Sequence, residues 1–481
     1  MLRYQSKLSE SQFDSKGTET QLAVRAANSK QNRATSLWSS LCRSRHGGVP
    51  QAGRGGRPRF VFQRANIAAT LLFLLMFSGP PKFRIRDLEA SLRGDIDWVV
   101  VLHILVWGLA GVWVLFQVGK CGRAKLLLAR LRLPQKLGLA VIFCLAVSAM
   151  ISKAPALSAF KIYQMAVSLL FTQFFVWKFG YKSCLKKIFW GNVLLCGAIA
   201  ACAFLLPDLV WSDSDFNLGP SRLRGELIAP AGVVSAFAII LLLSGVRKIW
   251  RVLSLSLLVP LFGLLVLSLM RTAYVVVLVF FVLILLKPHD VKPLKHFAYL
   301  VCALALLLYA YHWMPHLSEY RDPETISSLS DRIGLWRYLS NVTLTQSPWW
   351  GLGYYSASRV YAPDYNPGLG TAHSMFFEIL LGGGVLSFVL FTALCLILSV
   401  YAAHILYKNR DRFSLAIGSL FLATFIFGFM GDEIDSGPVG MCFWYSAAVL
   451  PWLYERSLRR ATRPEESHRC LPMKVGALNE L

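Results

Sequence analysis

From about Asn66 onward, apolar residues do not alternate with polar ones; they come in long, nearly unbroken runs separated by short polar stretches. Runs of roughly 17 to 25 residues recur, and at about 1.5 Å per residue each can cross about 30 Å of hydrocarbon. The pattern places spans near 66–80, 97–118, 136–152, 157–177, 188–206, 226–246, 249–267, 270–286, 296–313, 376–405, 413–430 and 438–454, about twelve by hydropathy. The first is short and ends at Gly79-Pro80-Pro81. The run 376–405 is long enough to include a tilted, kinked or half-buried piece, and it opens beside the triplet Gly382-Gly383-Gly384. The fold expected is an all-α polytopic membrane protein with about twelve transmembrane helices and one large extracytoplasmic loop, 314–372.

Two polar segments flank the membrane domain 65–455. Residues 1–64 are Arg-rich and Gly/Ser-rich, ending in "GGVPQAGRGGRPRF", a composition that reads as a disordered basic leader. Residues 456–481 form a basic tail. No cleavable signal peptide is visible, because the first apolar run starts only after the long leader.

Composition agrees with lipid exposure. The 481 residues are 55% hydrophobic and 16% charged, with a mean hydropathy of +0.51, more apolar surface than a soluble domain of this length hides. The net charge of +24 would suggest nucleic acid in a soluble protein; here its location decides its meaning. With a cytoplasmic N-terminus, the inside loops hold Lys120, Arg123, Lys125, Arg130 and Arg132, then Lys178 to Lys187, Arg247 to Arg251, Lys287 to Lys295, and Lys408 to Arg412. The outside loops "LPDLVWSDSDFNLGP", "MGDEIDSGP" and 314–372 are not rich in Lys or Arg. The positive-inside rule then puts both termini in the cytoplasm, with 81–96 as the one poor fit. The basic leader is read as attracted to anionic lipid head groups, not nucleic acid. None of the ten cysteines falls in an outside loop, so neither a disulfide framework nor metal-ligand spacing is expected.

The chemistry is therefore sought on the outer face. The long loop carries Trp336, Trp349, Trp350, Tyr354, Tyr355, Tyr361 and Tyr365, too many aromatics for disorder. Its middle, 330–346, predicts an amphipathic helix with Ser330 as N-cap, and "SPWWGLGYY" predicts a turn at the membrane interface. The aromatics suit either an interfacial belt or stacking on sugar rings. Arg271, in "LSLMRTAYVVV", lies at the outer end of two spans with almost no loop between them, where an arginine is costly unless paired or wetted. Arg222 and Arg224 precede another span at the same face, and Arg332 opens the loop helix. Guanidinium forks bind phosphate oxygens in two-point fashion and stay charged, so this set suits a pyrophosphate on a lipid carrier. His373, where the loop meets the next span, is suited to taking a proton near neutral pH; a bordering structural histidine is the plainer reading. Glu378, five residues on, is a second candidate whose plainer reading is a hydrogen-bonded place inside the bundle, and the "DSD" at 213–215 and "GDEIDSGP" at 431–438 are read as solvated turns.

In order, "RLRGELIAPAGVVSAFAII", "LSLMRTAYVVVLVF", "SDRIGLWRYLSNVTLTQSPWWGLGYYS" and "AHSMFFEILLGGGVLSFVLF" resemble the O-antigen ligase and polymerase superfamily over about residues 220 to 405. The resemblance implies about twelve spans, one large late periplasmic loop, and metal-independent, cofactor-free transfer of a glycan from undecaprenyl pyrophosphate to an acceptor hydroxyl. It sets Arg271, Arg332 and His373 as catalytic and Arg222 or Arg224 as substrate-binding. The sequence departs from the pattern at Ser374, where asparagine is frequent, and at Ala229-Pro230-Ala231, which argues against a typical lipopolysaccharide ligase. The expectation is an inner-membrane polymerase of exopolysaccharide or O-antigen repeat units, with flippase and chain-length regulator proteins as partners. A ligase acting on lipid A core, or a transporter of lipid-linked sugars, are the alternatives; nearly uncharged mid-spans and unlike halves disfavour the transporter. No P-loop or dinucleotide fingerprint is present.

Overall fold

The computed structural model describes residues 62–78, 98–120, 129, 131–212, 222–223, 230, 232–234, 256–257, 260–265, 267–268, 271–285, 332–366, 370–408, 411–431 and 434–461. Most of the leader, the 296–313 span, most of 226–246, Ser330 and Arg224 lie outside these residues. The chain divides into Met1–Arg64 and Ala65–Leu481, and the helical bundle belongs to the second unit.

The described elements are almost entirely helical: α1 Phe62–Phe77, α2 Trp98–Lys120, α3 Leu133–Ala149, α4 Pro155–Phe179, α5 Tyr181–Leu205, α6 Pro207–Val210, α7 Arg271–Leu285, α8 Arg332–Gln346, α9 Ser356–Tyr365, α10 Met375–Lys408, α11 Arg412–Phe429 and α12 Gly437–Ala461. One short antiparallel bridge, β1 (Trp211–Ser212) on β2 (Arg222–Leu223), pairs Ser212 with Arg222. Among the described residues, four helices are long and apolar enough to cross a membrane: Val100–Gly119, Pro155–Phe179, Tyr181–Leu205 and Met375–Lys408. Shorter apolar helices lie at Ile67–Phe77, Leu133–Ala149 and Phe413–Phe429. Each coincides with a run expected from the sequence.

Burial along these helices is one-sided. On α2, Val101, Leu105, Leu109, Val112 and Phe116 face outward while Val106, Trp107, Ala110 and Val114 are buried. That is helical periodicity with apolar residues on both faces, one packed on protein and the other suited to lipid. The buried faces of α3, α4, α10, α11 and α12 meet in one core that includes Phe171, Phe175, Phe391, Phe421, Phe443 and Trp444. Gly138 lets Trp444 approach α3, since a Cβ there would come 2.9 Å from the indole.

Backbone polar groups exposed by helix breaks are taken up by side chains, as a water-poor interior requires. Pro451 lies inside α12 and has no N–H to offer the carbonyl four residues back, Ala447. Gln135 Nε2 donates to that carbonyl at 2.7 Å, and Arg132 Nη1 donates to Pro451 O at 3.1 Å while also pairing with Glu455.

These contacts, with Tyr401 stacked on Tyr454 at 4.4 Å and His404 Nε2 3.3 Å from Ser457 Oγ, define one end of the bundle. α12 continues to Ala461, past the expected tail boundary at 456. The other end gathers the α3–α4 turn, residues 347–366 and 370–374, and residues 430, 431 and 434–436 between α11 and α12.

Candidate active site

The residues expected to form one long loop contain two packed helices. α8 falls where the amphipathic helix is expected and buries Leu335, Leu339 and Thr343, but Ile333 and Leu344, expected among its apolar contacts, are exposed. The expected turn follows, and then α9, a helix that the sequence pattern does not predict. Leu335, Leu339, Ala357, Tyr361, Ala362, Ala372 and Leu381 form a small core of their own beneath this cap.

The glycine triplet is explained by what lies on it. α10 is interrupted at Gly384, at φ 67° and ψ −170°, a conformation essentially restricted to glycine. Carbonyls released at the break are taken by the turn: Leu352 N–H donates to Leu381 O at 2.8 Å and Gly353 N–H to Gly382 O at 3.1 Å. In return Val385 N–H donates to Pro348 O at 2.8 Å. Ser148 Oγ, from α3, donates to Gly382 O and accepts from Gly353 N–H. A side chain at Gly384 would fall on the Trp349 backbone, and one at Gly351 on the backbone of Gly383. The first nine residues of α10 are thus part of the cap, and the remaining 24, about 36 Å of helix, form the span.

His373 sits where the cap meets this short helix. It is half-buried, with φ 52°, one of two non-glycine residues among the described ones in the left-handed region; the other is Tyr355 at 64°. That conformation costs about 1–2 kcal/mol for a residue with a Cβ, so the neighbours must enforce it. Three of them do. Trp336 Nε1 donates to Ala372 O at 2.8 Å, Glu378 Oε1 accepts from Ala372 N–H at 2.8 Å, and Glu378 N–H donates to Ser374 O at 2.9 Å. Glu378 is fully buried, so it holds the loop rather than facing solvent, in accord with its expected place inside the bundle. Thr371 Oγ1 lies 3.3 Å from His373 Nδ1. With the proton on Nδ1, this contact leaves Nε2 with the lone pair that a base requires.

Trp336 joins this knot to α11: its ring stacks on Phe377 at 4.7 Å and meets Phe429 edge-on at 6.4 Å. One turn earlier on α8, Arg332 Nη1 donates to Met430 O at 3.0 Å. Met375 packs on Gly428, where an added Cβ would meet its thioether sulfur. Arg332 and His373 therefore belong to one set of contacts joining α8, the start of α10 and the end of α11.

The other expected arginines are placed by backbone alone. Arg271 is the first residue of α7, which packs on α11, and Gly232 lies against both Ala273 and Phe427. The start of α7 is thus brought to the same end of α11 that Arg332 binds. Arg222 lies in β2, and Arg224 is outside the described residues. Among the described residues, no three His, Cys, Asp or Glu side chains are grouped as a metal site would need.

Residues 257–392, from before Arg271 to past the glycine triplet, match the family model described as O-Antigen ligase. This segment is a domain of the O-antigen ligase and polymerase superfamily. Members of that family are membrane glycosyltransferase-like enzymes acting on lipid-linked oligosaccharides. No curated protein matches the chain. The O-antigen ligase domain holds Arg271, Arg332 and His373, whereas α3, α4, α11 and α12, which complete the contacts around it, lie outside the matched residues.

Proposed function

We propose that this chain is an inner-membrane polymerase that transfers a glycan from undecaprenyl pyrophosphate to an acceptor sugar on another lipid-linked repeat unit, at the outer face and without a metal. The observation that carries the reading is a half-buried imidazole held in a left-handed conformation, in the same set of helix contacts as Arg332 and inside the O-antigen ligase domain. In the reaction, His373 Nε2 takes the proton of the acceptor hydroxyl as its oxygen attacks the anomeric carbon of the donor. The bond from that carbon to the pyrophosphate oxygen breaks, and the pyrophosphate leaves with the electron pair. Arg271 and Arg222 or Arg224 stabilise the charge that grows on it, and Arg332 holds a substrate against the cap. Strain held by neighbouring groups is a common feature of functional positions and supports the assignment of His373.

A ligase reading, with lipid A core as acceptor, has the matched family's own description in its favour. Ser374 and Ala229-Pro230-Ala231 favour the polymerase. The test is Arg271→Ala, assayed by the length of the surface glycan with membrane level of the protein measured alongside. Loss of polymer at normal protein level is expected; unchanged chain length would remove Arg271 from the mechanism.

A further inference from the structure

A second group of cations lies in the same cap, contributed largely by residues outside the O-antigen ligase domain. Lys153, in the α3–α4 turn, is exposed and stands over the Tyr361 ring with its ammonium 4.7 Å from the centroid. Arg359, on α9, stands 5.2 Å from the centroid of the Tyr355 ring and donates from Nη2 to the Tyr355 hydroxyl at 3.1 Å. Lys161, on α4, lies 4.1 Å from the same centroid and is neutralised by Asp435, 2.7 Å away. The two tyrosines are only 8% and 7% exposed, so they position cations rather than offer ring faces for stacking.

The α3–α4 turn is joined to α9 by hydrogen-bonded serines, with Ser152 Oγ and Ser158 Oγ each 2.6 Å from Ser356 Oγ. Ser158 Oγ also donates to Tyr354 O at 3.0 Å. These bonds fix the turn that carries Lys153 against the helix that carries Arg359. A positioned ammonium and a positioned guanidinium, carried on two elements that these serines hold together, can recognise an anionic oxygen group; the guanidinium supplies the planar fork and the ammonium a point charge. Cations ordered over aromatic faces lose less side-chain freedom on binding than cations free in solvent.

We propose that Lys153 and Arg359 form an anion-recognising subsite of the cap, for a carboxylate or phosphate borne by the lipid-linked glycan. The inference rests on the glycosyltransferase reading for the identity of the ligand, but its test is a binding measurement that needs no turnover. The full chain in phosphatidylcholine nanodiscs is titrated calorimetrically with a uronate-containing tetrasaccharide, with inorganic pyrophosphate, and with a neutral tetrasaccharide, for wild type and for Lys153→Ala/Arg359→Ala. A tenfold or greater loss of affinity confined to the uronate identifies an acidic sugar as the ligand; the same loss confined to pyrophosphate identifies the carrier phosphate. Arg359→Lys, which keeps the charge and loses the fork, is expected to bind at an intermediate level and guards against misfolding of the double variant. Equal affinities in wild type and double variant, an equal loss for the neutral glycan, or no binding of either anion by wild type would each overturn the subsite. His373→Ala should leave this binding unchanged, so failure of the catalytic assignment and failure of the subsite give different results.

Discussion

The indole of Trp336 donates its hydrogen bond to the carbonyl of Ala372 at 2.8 Å, so a side chain of the loop helix α8 sets the residue immediately before His373. The ring is held in turn by Phe377, only four residues beyond the histidine, and by Phe429 at the end of α11. The imidazole is thereby tied to two helices that are distant in sequence, which is how a loop residue acquires a fixed orientation.

Trp336→Phe keeps a stacking ring and removes the donor. A net loss of about 0.5–1.5 kcal/mol is expected, together with a lowered glycan yield at near-normal protein level. Thermal unfolding in detergent alongside the glycan gel checks it; an unchanged yield would mean that His373 is oriented without this bond.

Glu378 should separate its two substitutions. Gln keeps an acceptor for the Ala372 N–H, whereas Ala leaves that buried donor unmade, a cost of about 1–3 kcal/mol. Glu378→Gln is expected to stay near wild type in membrane level and Glu378→Ala to fall; equal levels for both would contradict the positioning role.

Gly384→Ala places a Cβ at a backbone conformation that only glycine adopts readily, and against the Trp349 backbone. A loss of at least about 2 kcal/mol is expected, seen as a lowered unfolding temperature and reduced insertion. Wild-type stability would show that the turn and the helix break separate without cost.

Lys161 and Asp435 should respond unequally. Asp435 is 1% exposed and Lys161 15%, so Lys161→Met strands a buried carboxylate at a cost of about 3–5 kcal/mol, while Asp435→Asn leaves a lysine with a path to water. Unfolding temperatures of the two single variants test the ordering, and a larger loss for Asp435→Asn would reverse it.

Hydropathy locates the apolar helices among the described residues, because a span must be continuously apolar. It also locates α8, whose buried Leu335 and Leu339 recur at helical spacing. It does not reveal α9, since "SASRVYAPDY" is short, polar and contains Pro363; that helix forms because Ala357, Tyr361 and Ala362 bury against α8 and α10. The break at Gly384 is suggested by the length of the run and the glycine triplet, but its cause, the turn 348–353 lying on the helix backbone, is a tertiary contact with no local signature. In the same way His373 and Arg332 are legible as residue types at the edge of an apolar run, whereas the left-handed backbone at 373 and the bond from Arg332 to Met430 O depend on partners up to 98 residues away. Lys153 and Arg359 carry no sequence signal, because neither lies in a motif; only the hydrogen bonds from Ser152 and Ser158 to Ser356 join the elements that carry them.

The role of His373 as the base for glycosyl transfer stands or falls on the gel profile of surface glycan in cells carrying His373→Asn, with membrane level of the protein measured in the same samples. Asparagine tolerates the left-handed backbone, so the cap is expected to remain intact. Accumulation of single repeat units at normal protein level is the predicted result. Long chains of wild-type distribution would contradict the assignment and leave His373 as a structural residue at the membrane border.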